Sequence, residues 1–308
     1  MWYLQKPTDE ELNNYVSDMS AKIKATRAYS ALQAYFDCEI YGHRYDFVDM
    51  LLRCKPQYQL ALNRFLMERI FNHQQDDDMQ RKIKSAFNYT RFISQDSNFS
   101  YALSRVKKIN ACPYCNRQYT LTIEKKTTAG ETIHIAKPHF DHWFAKSDYP
   151  LLSLSFYNLI PSCSVCNSSI KGNGFMGLND HIHPYCQEEG YEPHFKFRVL
   201  FTGGKDFELY TTKSVIVAEE QMKTDFFIDD VYKYHKDLEV ADLVTLYLAN
   251  EGIYLRKWMT ETLKELRPAM TMSEIIRMVF GAEMEASRLK DRPLSKLKKD
   301  LLEQFHVI

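Results

Sequence analysis

Two pairs of cysteines stand at metal-ligand spacing. Cys112 and Cys115 lie in Ala111-Cys-Pro-Tyr-Cys-Asn116, and Cys163 and Cys166 in Pro161-Ser-Cys-Ser-Val-Cys-Asn167. Thiolates two residues apart on a tight knuckle can both reach one ion at ~2.3 Å, and two such knuckles complete a tetrahedron. A proline helps fix the first turn, and the second pair follows a proline and opens a helix. Four buried thiols or a redox C-x-x-C are the plainer alternatives, but a redox motif leaves the second pair unexplained. The pairs therefore point to structural Zn²⁺, with no fifth ligand clustered beside them. Cys38, Cys54 and Cys186 stand alone and are expected as small buried hydrophobes. Seven cysteines in all, an odd number in a chain this long, do not make a secreted disulfide framework.

The stretch between the pairs is longer than in a simple zinc ribbon and must form something of its own. It contains His139-Phe-Asp-His-Trp143, Lys146-Ser-Asp-Tyr-Pro150 and Tyr157-Asn-Leu-Ile-Pro-Ser-Cys163, and Asn167-Ser-Ser-Ile-Lys-Gly172 follows the second pair. Phosphodiester cleavage needs a water deprotonated near neutral pH, which an imidazole can do. It also needs a cation to offset charge on the phosphate and the leaving oxygen. One carboxylate and one amide suit oxygen-ligated Mg²⁺ or Mn²⁺ with room for phosphate oxygens. In a regular strand the adjacent Asp141 and His142 face opposite ways. Either the backbone leaves the extended form there, or the two groups work from different sides.

In order and spacing, residues 111–173 resemble the HNH endonucleases, the ββα-metal nucleases whose motif is often framed by two C-x-x-C zinc knuckles. The resemblance implies a role for each matching residue. His142 matches the general base, Asp141 the strand metal ligand, and Asn167 the helix ligand where other members carry histidine. Asn158 matches the middle position, whose side chain ties down the loop behind the base. Two departures stand out: Trp-Phe-Ala-Lys follows the dyad where many members have proline, and Asn167 is a weaker ligand than histidine. The pattern is similar to nucleases of bacterial anti-phage systems such as the Septu-like ones, which often act beside an ATPase of the same operon. No G-x-x-x-x-G-K loop occurs here, so an ATPase activity would belong to another chain.

Lys171 and Lys146 are candidate phosphate contacts, and His183, with His181, lies close enough after the motif to approach substrate or metal. A structural loop is the competing reading for both histidines. His134 and His139 read as strand residues. Trp143 and Tyr185 could stack bases, but packing is the better expectation for both.

Secondary-structure elements must hold these groups. Thr8 with Glu11 forms a capping-box signature, followed by Leu12, Tyr15, Val16, Met19 and Ile23 at helical spacing. Further amphipathic stretches cover 45–54, 57–72 and 79–93, with the polar run 74–78 as a solvated loop or the start of the next helix. Residues 119–124 and 131–136 alternate around a turn, as do 195–201 and 207–212 around Gly203-Gly204, which predicts two hairpins. Helical texture returns after Met222, punctuated by Pro268 and Pro293. The expected fold class is α+β: a helical N-terminal region over 1–108, a zinc-framed ββα-metal (HNH) nuclease core over 109–190, and a hairpin plus helical region over 191–308.

Charge follows the same division. The 308 residues balance to zero, which excludes a generally polycationic coat for nucleic acid, but residues 105–175 hold nine basic and four acidic side chains. A polyanion would be drawn there first. Global disorder is excluded by 45% hydrophobic residues spread along the chain. No apolar run reaches the ~18 residues that span a bilayer, and the first residues lack a signal-peptide pattern. A cytoplasmic location is expected. The leading expectation is thus a metal-dependent endonuclease acting on DNA. The alternatives are a zinc-stabilised nucleic-acid-binding module that does not cut, and an interaction scaffold in which the helical flanks matter most.

Overall fold

The first helix, Asp9–Lys24, starts at the expected capping box: the Thr8 hydroxyl accepts from the Glu11 N–H, and the Glu11 carboxylate accepts from the Thr8 N–H. Its buried stripe is Tyr15, Val16, Met19 and Ile23. The computed structural model describes residues 2–72, 76–172, 174, 176–250, 253–263, 265 and 270–308. Gln74 and Gln75 of the polar run, and Pro268, lie outside the described residues. Within that run, Asp76 caps the helix Asp77–Ala86 by accepting from the Asp78 and Met79 N–H groups.

The stretch expected as one helix over 45–54 is divided. Strands β1 (Asp37–Ile40) and β2 (His43–Asp46) form a hairpin, and the helix covers only Phe47–Arg53. The two turn residues, Tyr41 and Gly42, both have positive φ, the backbone of a tight two-residue hairpin. Asp46 then caps the helix through the Val48 and Asp49 N–H groups. A helix runs over Pro56–Phe71, close to its expected bounds. The stretch over 79–93 breaks at Phe87, where Asn88 Oδ1 takes the Arg91 N–H at 2.9 Å and a π-type turn, Thr90–Ser94, follows. A short amide side chain competing for backbone donors is a common cause of such breaks. The helix Ser97–Lys107 closes the N-terminal region.

The hairpin expected over 119–124 and 131–136 is β3 (Ile123–Lys126) and β4 (Thr132–Ala136); its first strand starts later than expected, because Tyr119 instead bridges Ala111 beside the first knuckle. Strands β5 (His139–His142) and β6 (Leu159–Ser162) pair antiparallel, with Asp141 opposite Ile160 and His142 opposite Leu159. A π-type turn, Val165–Lys171, follows β6 directly. The other expected hairpin is β7 (Phe197–Gly203) with β8 (Asp206–Thr211), and helices including Val217–Asp225 and Ser295–Gln304 follow. The described chain is therefore a mixed α/β fold with small antiparallel sheets. None of its described helices is long and apolar enough to cross a membrane.

Both flanks pack on the first cysteine knuckle. From the N-terminus, fully buried Trp2 donates its N–H to the Pro113 carbonyl and its indole N–H to the Tyr114 carbonyl. From the C-terminal side, Tyr232 Oη donates to the Cys115 carbonyl at 2.6 Å. Asn116, in the left-handed region at φ +52°, gives its amide to the Leu289 and Arg292 carbonyls and accepts the Lys296 N–H. Asparagine tolerates that backbone better than most residues.

Candidate functional site

The four paired cysteines converge. Their Sγ atoms are buried and lie within 4.8 Å of one another, near the ~3.8 Å separation of thiolates on one tetrahedral zinc. Backbone N–H groups point at the sulfurs: Cys163 N–H at Cys112 Sγ, Cys166 N–H at Cys163 Sγ, and Arg117 N–H at Cys115 Sγ, each at 3.4 Å. Hydrogen bonds from the neighbouring thiols hold Cys163 far below the usual thiol range. Four buried sulfurs this close together, three of them met by a backbone donor, can bind a metal, and a soft-ligand set of this kind suits Zn²⁺. The three lone cysteines correct the sequence expectation. Cys38 and Cys54 are half-buried and Cys186 is exposed, because they sit on a small hairpin, a helix end and a surface turn.

Beside this cluster opens a cavity of about 540 Å³, walled by Tyr89, Asp141, His142, Lys146 and Asn167 among others. Asp141 and His142 both reach it from the end of β5, from different sides of the strand. Asp141 is held on the knuckle side. Its Oδ2 accepts from Tyr114 Oη at 2.6 Å, and its Oδ1 from Lys171 Nζ at 3.0 Å. Burial pushes its carboxyl up, against the pull of the Lys171 ammonium.

His142 is held on the other side, where its Nε2 lies 3.0 Å from the Ser153 carbonyl. A carbonyl only accepts, so Nε2 carries the proton and Nδ1 keeps a bare lone pair. The Tyr89 ring packs edge-on against the imidazole with centroids 4.5 Å apart. Burial first, and the Lys146 ammonium second, lower its pKa to about 3, so the ring is neutral at pH 7.

The remaining expected residues divide. Asn167 is half-buried at the cavity; its amide N–H reaches Ser168 Oγ at 3.3 Å, and its Oδ1 has no hydrogen bond among the described residues. Asn158 is fully buried behind the cavity, accepting the Phe144 N–H and donating to the Phe144 and Leu152 carbonyls. It fastens the loop that carries Ser153. Lys146 is exposed at the cavity mouth, with its ammonium 5.2 Å from the Tyr89 ring centre.

Lys171, expected at phosphate, is instead buried against Asp141 and the His142 carbonyl, because the turn after the second knuckle directs it inward. His183, expected near substrate, is 1% exposed and packs on Trp143 at 4.5 Å, away from the cavity wall. His181 is bound to Asp225 at 2.8 Å. His139 is exposed on β5 at the cavity, and His134 pairs with Glu124 on the neighbouring hairpin. Trp143 and Tyr185 are buried packing residues.

Sequence reasoning missed Tyr89 and Ser94, which enter the cavity from the N-terminal region. The available signal was the interrupted helical pattern at Phe87-Asn88. Compared with protein-family models, with curated proteins and with solved structures, the chain finds no match in any of the three.

Proposed function

We propose that this chain is a metal-dependent endonuclease of the HNH type that hydrolyses phosphodiester bonds in DNA, with His142 as its general base. The observation that carries this reading is the anchored imidazole. Nε2 is spent on the Ser153 carbonyl, and the unprotonated Nδ1 belongs to a ring on the wall of a basic-rimmed cavity that also holds Asp141 and Asn167. The strand pair β5–β6 followed by the Val165–Lys171 turn, fastened to a four-cysteine cluster, supports the same reading.

The donor set fits a hard divalent cation. The Asp141 carboxylate lines the cavity and accepts from Tyr114 Oη, Lys171 Nζ and the His142 backbone N–H, and Asn167 Oδ1 is without a hydrogen bond among the described residues. Asp141 and Asn167 would hold Mg²⁺ or Mn²⁺, which when bound would neutralise charge on the phosphate and its leaving oxygen. His142 Nδ1 removes a proton from the attacking water. Asn158 keeps the loop behind that ring from moving. Lys146 at the mouth attracts and orients the phosphate, while Lys171 positions Asp141. An anionic phosphate in the cavity also raises the low basicity of His142, so the base strengthens as substrate arrives. The anti-phage setting and the ATPase partner rest on the sequence resemblance.

One observation favours the non-cutting nucleic-acid binder: the Lys171 ammonium already offsets the only carboxylate charge among the described residues that line the cavity. A nicking assay on supercoiled plasmid with added Mg²⁺ or Mn²⁺, comparing wild type with His142→Ala, separates the two. Metal-dependent nicking by wild type and none by the variant supports the enzyme. Plasmid binding with no nicking in either ion supports the binder.

A further inference from the structure

A second recess of about 280 Å³ lies behind the cavity wall. Tyr89 and Lys146 line both spaces. The recess has an apolar floor and sides from Phe87, Tyr89 and Pro150, and its rim carries Lys84 and Asn88. Asn88 spends its Oδ1 on the Arg91 N–H at 2.9 Å, and its amide N–H groups donate to nothing among the described residues. Lys84 is exposed and makes no ion pair among the described residues.

We propose that this recess holds one unstacked base of a nucleic-acid strand, next to the phosphate in the main cavity. The proposal rests on the nucleic-acid reading of that cavity and adds the form of substrate it takes. Three features support it. An aromatic ring and a proline offer flat apolar surface to a base, and stacking on such surface accepts any base. The free amide of Asn88 can donate to an acceptor on a base edge, as single-strand readers do. Lys146 stands at the threshold, where the phosphate joining the two nucleotides would lie. A base enters only if it leaves its helical stack, so a single strand or a distorted duplex is favoured over regular duplex.

The test measures binding by fluorescence anisotropy with the full-length zinc-loaded chain and no added Mg²⁺ or Mn²⁺, so cleavage plays no part. The probes are a short labelled single-stranded DNA, the same strand in duplex, and single strands with one abasic site at successive positions. The expected result is about tenfold tighter binding to the single strand, with one abasic position losing about tenfold. Tyr89→Ala removes the preference and Tyr89→Phe restores it. Asn88→Asp keeps the acceptor for Arg91 but removes the donor, and lowers single-strand affinity several-fold. Equal affinity for single strand and duplex, with a flat abasic series, overturns the recess as a base site. Single-strand preference without nicking in any ion supports the recess and sinks the nuclease reading. Duplex nicking with a flat abasic series does the reverse.

Discussion

The thiol cluster and the neighbouring cavity are built on opposite principles. Around the cysteines the sulfurs are enclosed and mostly paired. The sulfurs are buried, those of Cys112, Cys115 and Cys163 each receive a backbone N–H, and Trp2 and Tyr232 from the two sides of the chain close over the first knuckle, where Asn116 bonds the Leu289 carbonyl. The cavity is left open: His142 keeps a bare Nδ1, Asn167 an unused oxygen and Lys146 an exposed ammonium. A centre that holds a fold must be satisfied before any substrate arrives, whereas a centre that reacts must not be. The two share a wall. Tyr114, inside the first knuckle, donates to Asp141, and Asn167 follows Cys166 directly.

If that contrast is right, removing the metal from the closed centre has the largest effect. A structural zinc contributes about 10–16 kcal/mol of apparent binding energy, comparable to the whole stability of a domain. Cys163→Ser, or a strong zinc chelator, should unfold the region around β5 and β6. Elemental analysis should give one zinc per wild-type chain, and circular dichroism should show the lost transition. An unchanged melt after complete chelation would break the comparison at its first term.

The open centre should behave in the opposite way. His142→Ala should lower cleavage by about 10²–10⁴-fold, the usual contribution of a general base, while zinc content stays at the wild-type value. Loss of zinc alongside loss of activity would show that the cavity is part of the structural frame.

A third change falls on the shared wall. Tyr114→Phe keeps the ring stacked on Phe226 but removes the hydroxyl from Asp141. A hydrogen bond to a buried charged group contributes about 1.5–3 kcal/mol. The melting temperature should fall by a corresponding amount with zinc retained, and the concentration of Mn²⁺ needed for cleavage should change. Wild-type metal dependence in this variant would separate the two centres.

The closed centre was far more legible in the sequence than the open one. Cysteine pairs, the capping box at Thr8 and the alternation in β3–β4 and β7–β8 are local patterns, each set by a few neighbouring residues. The dyad and Asn158 were singled out by resemblance to a short motif, and the structure places the dyad on the cavity wall and Asn158 behind it. What escaped was tertiary. Tyr89 reaches His142 from a broken helix far upstream, and Lys171 turns inward because Asp141 lies across the strand. Trp2 closes over a knuckle that no local rule connects to it. The hairpin β1–β2 was hidden by its length: four residues a side, rich in charge, leave too little alternation to outweigh the helical pattern that follows.

The smallest effect expected concerns a second buried histidine. His183 sits behind Trp143 on the closed side, and burial, with the Lys107 ammonium second, lowers its pKa to about 3. Unfolded, it would titrate near 6.5. The folded state therefore resists a proton that the unfolded state takes, so stability is intact above about pH 6.5 and falls as the pH drops toward 3. Between pH 7 and pH 5 this one group accounts for about 2 kcal/mol. His183→Asn keeps an acceptor for the Tyr185 N–H, which His183 Nδ1 now takes at 3.2 Å, but removes the titration. Urea melts at pH 5 and pH 7 should show a smaller pH difference in the variant than in wild type. Cleavage at pH 7 should be unaffected, because this ring, unlike that of His142, faces no open space. An unchanged pH difference would place the titrating group elsewhere, and lost cleavage at pH 7 would move His183 to the open side of the molecule.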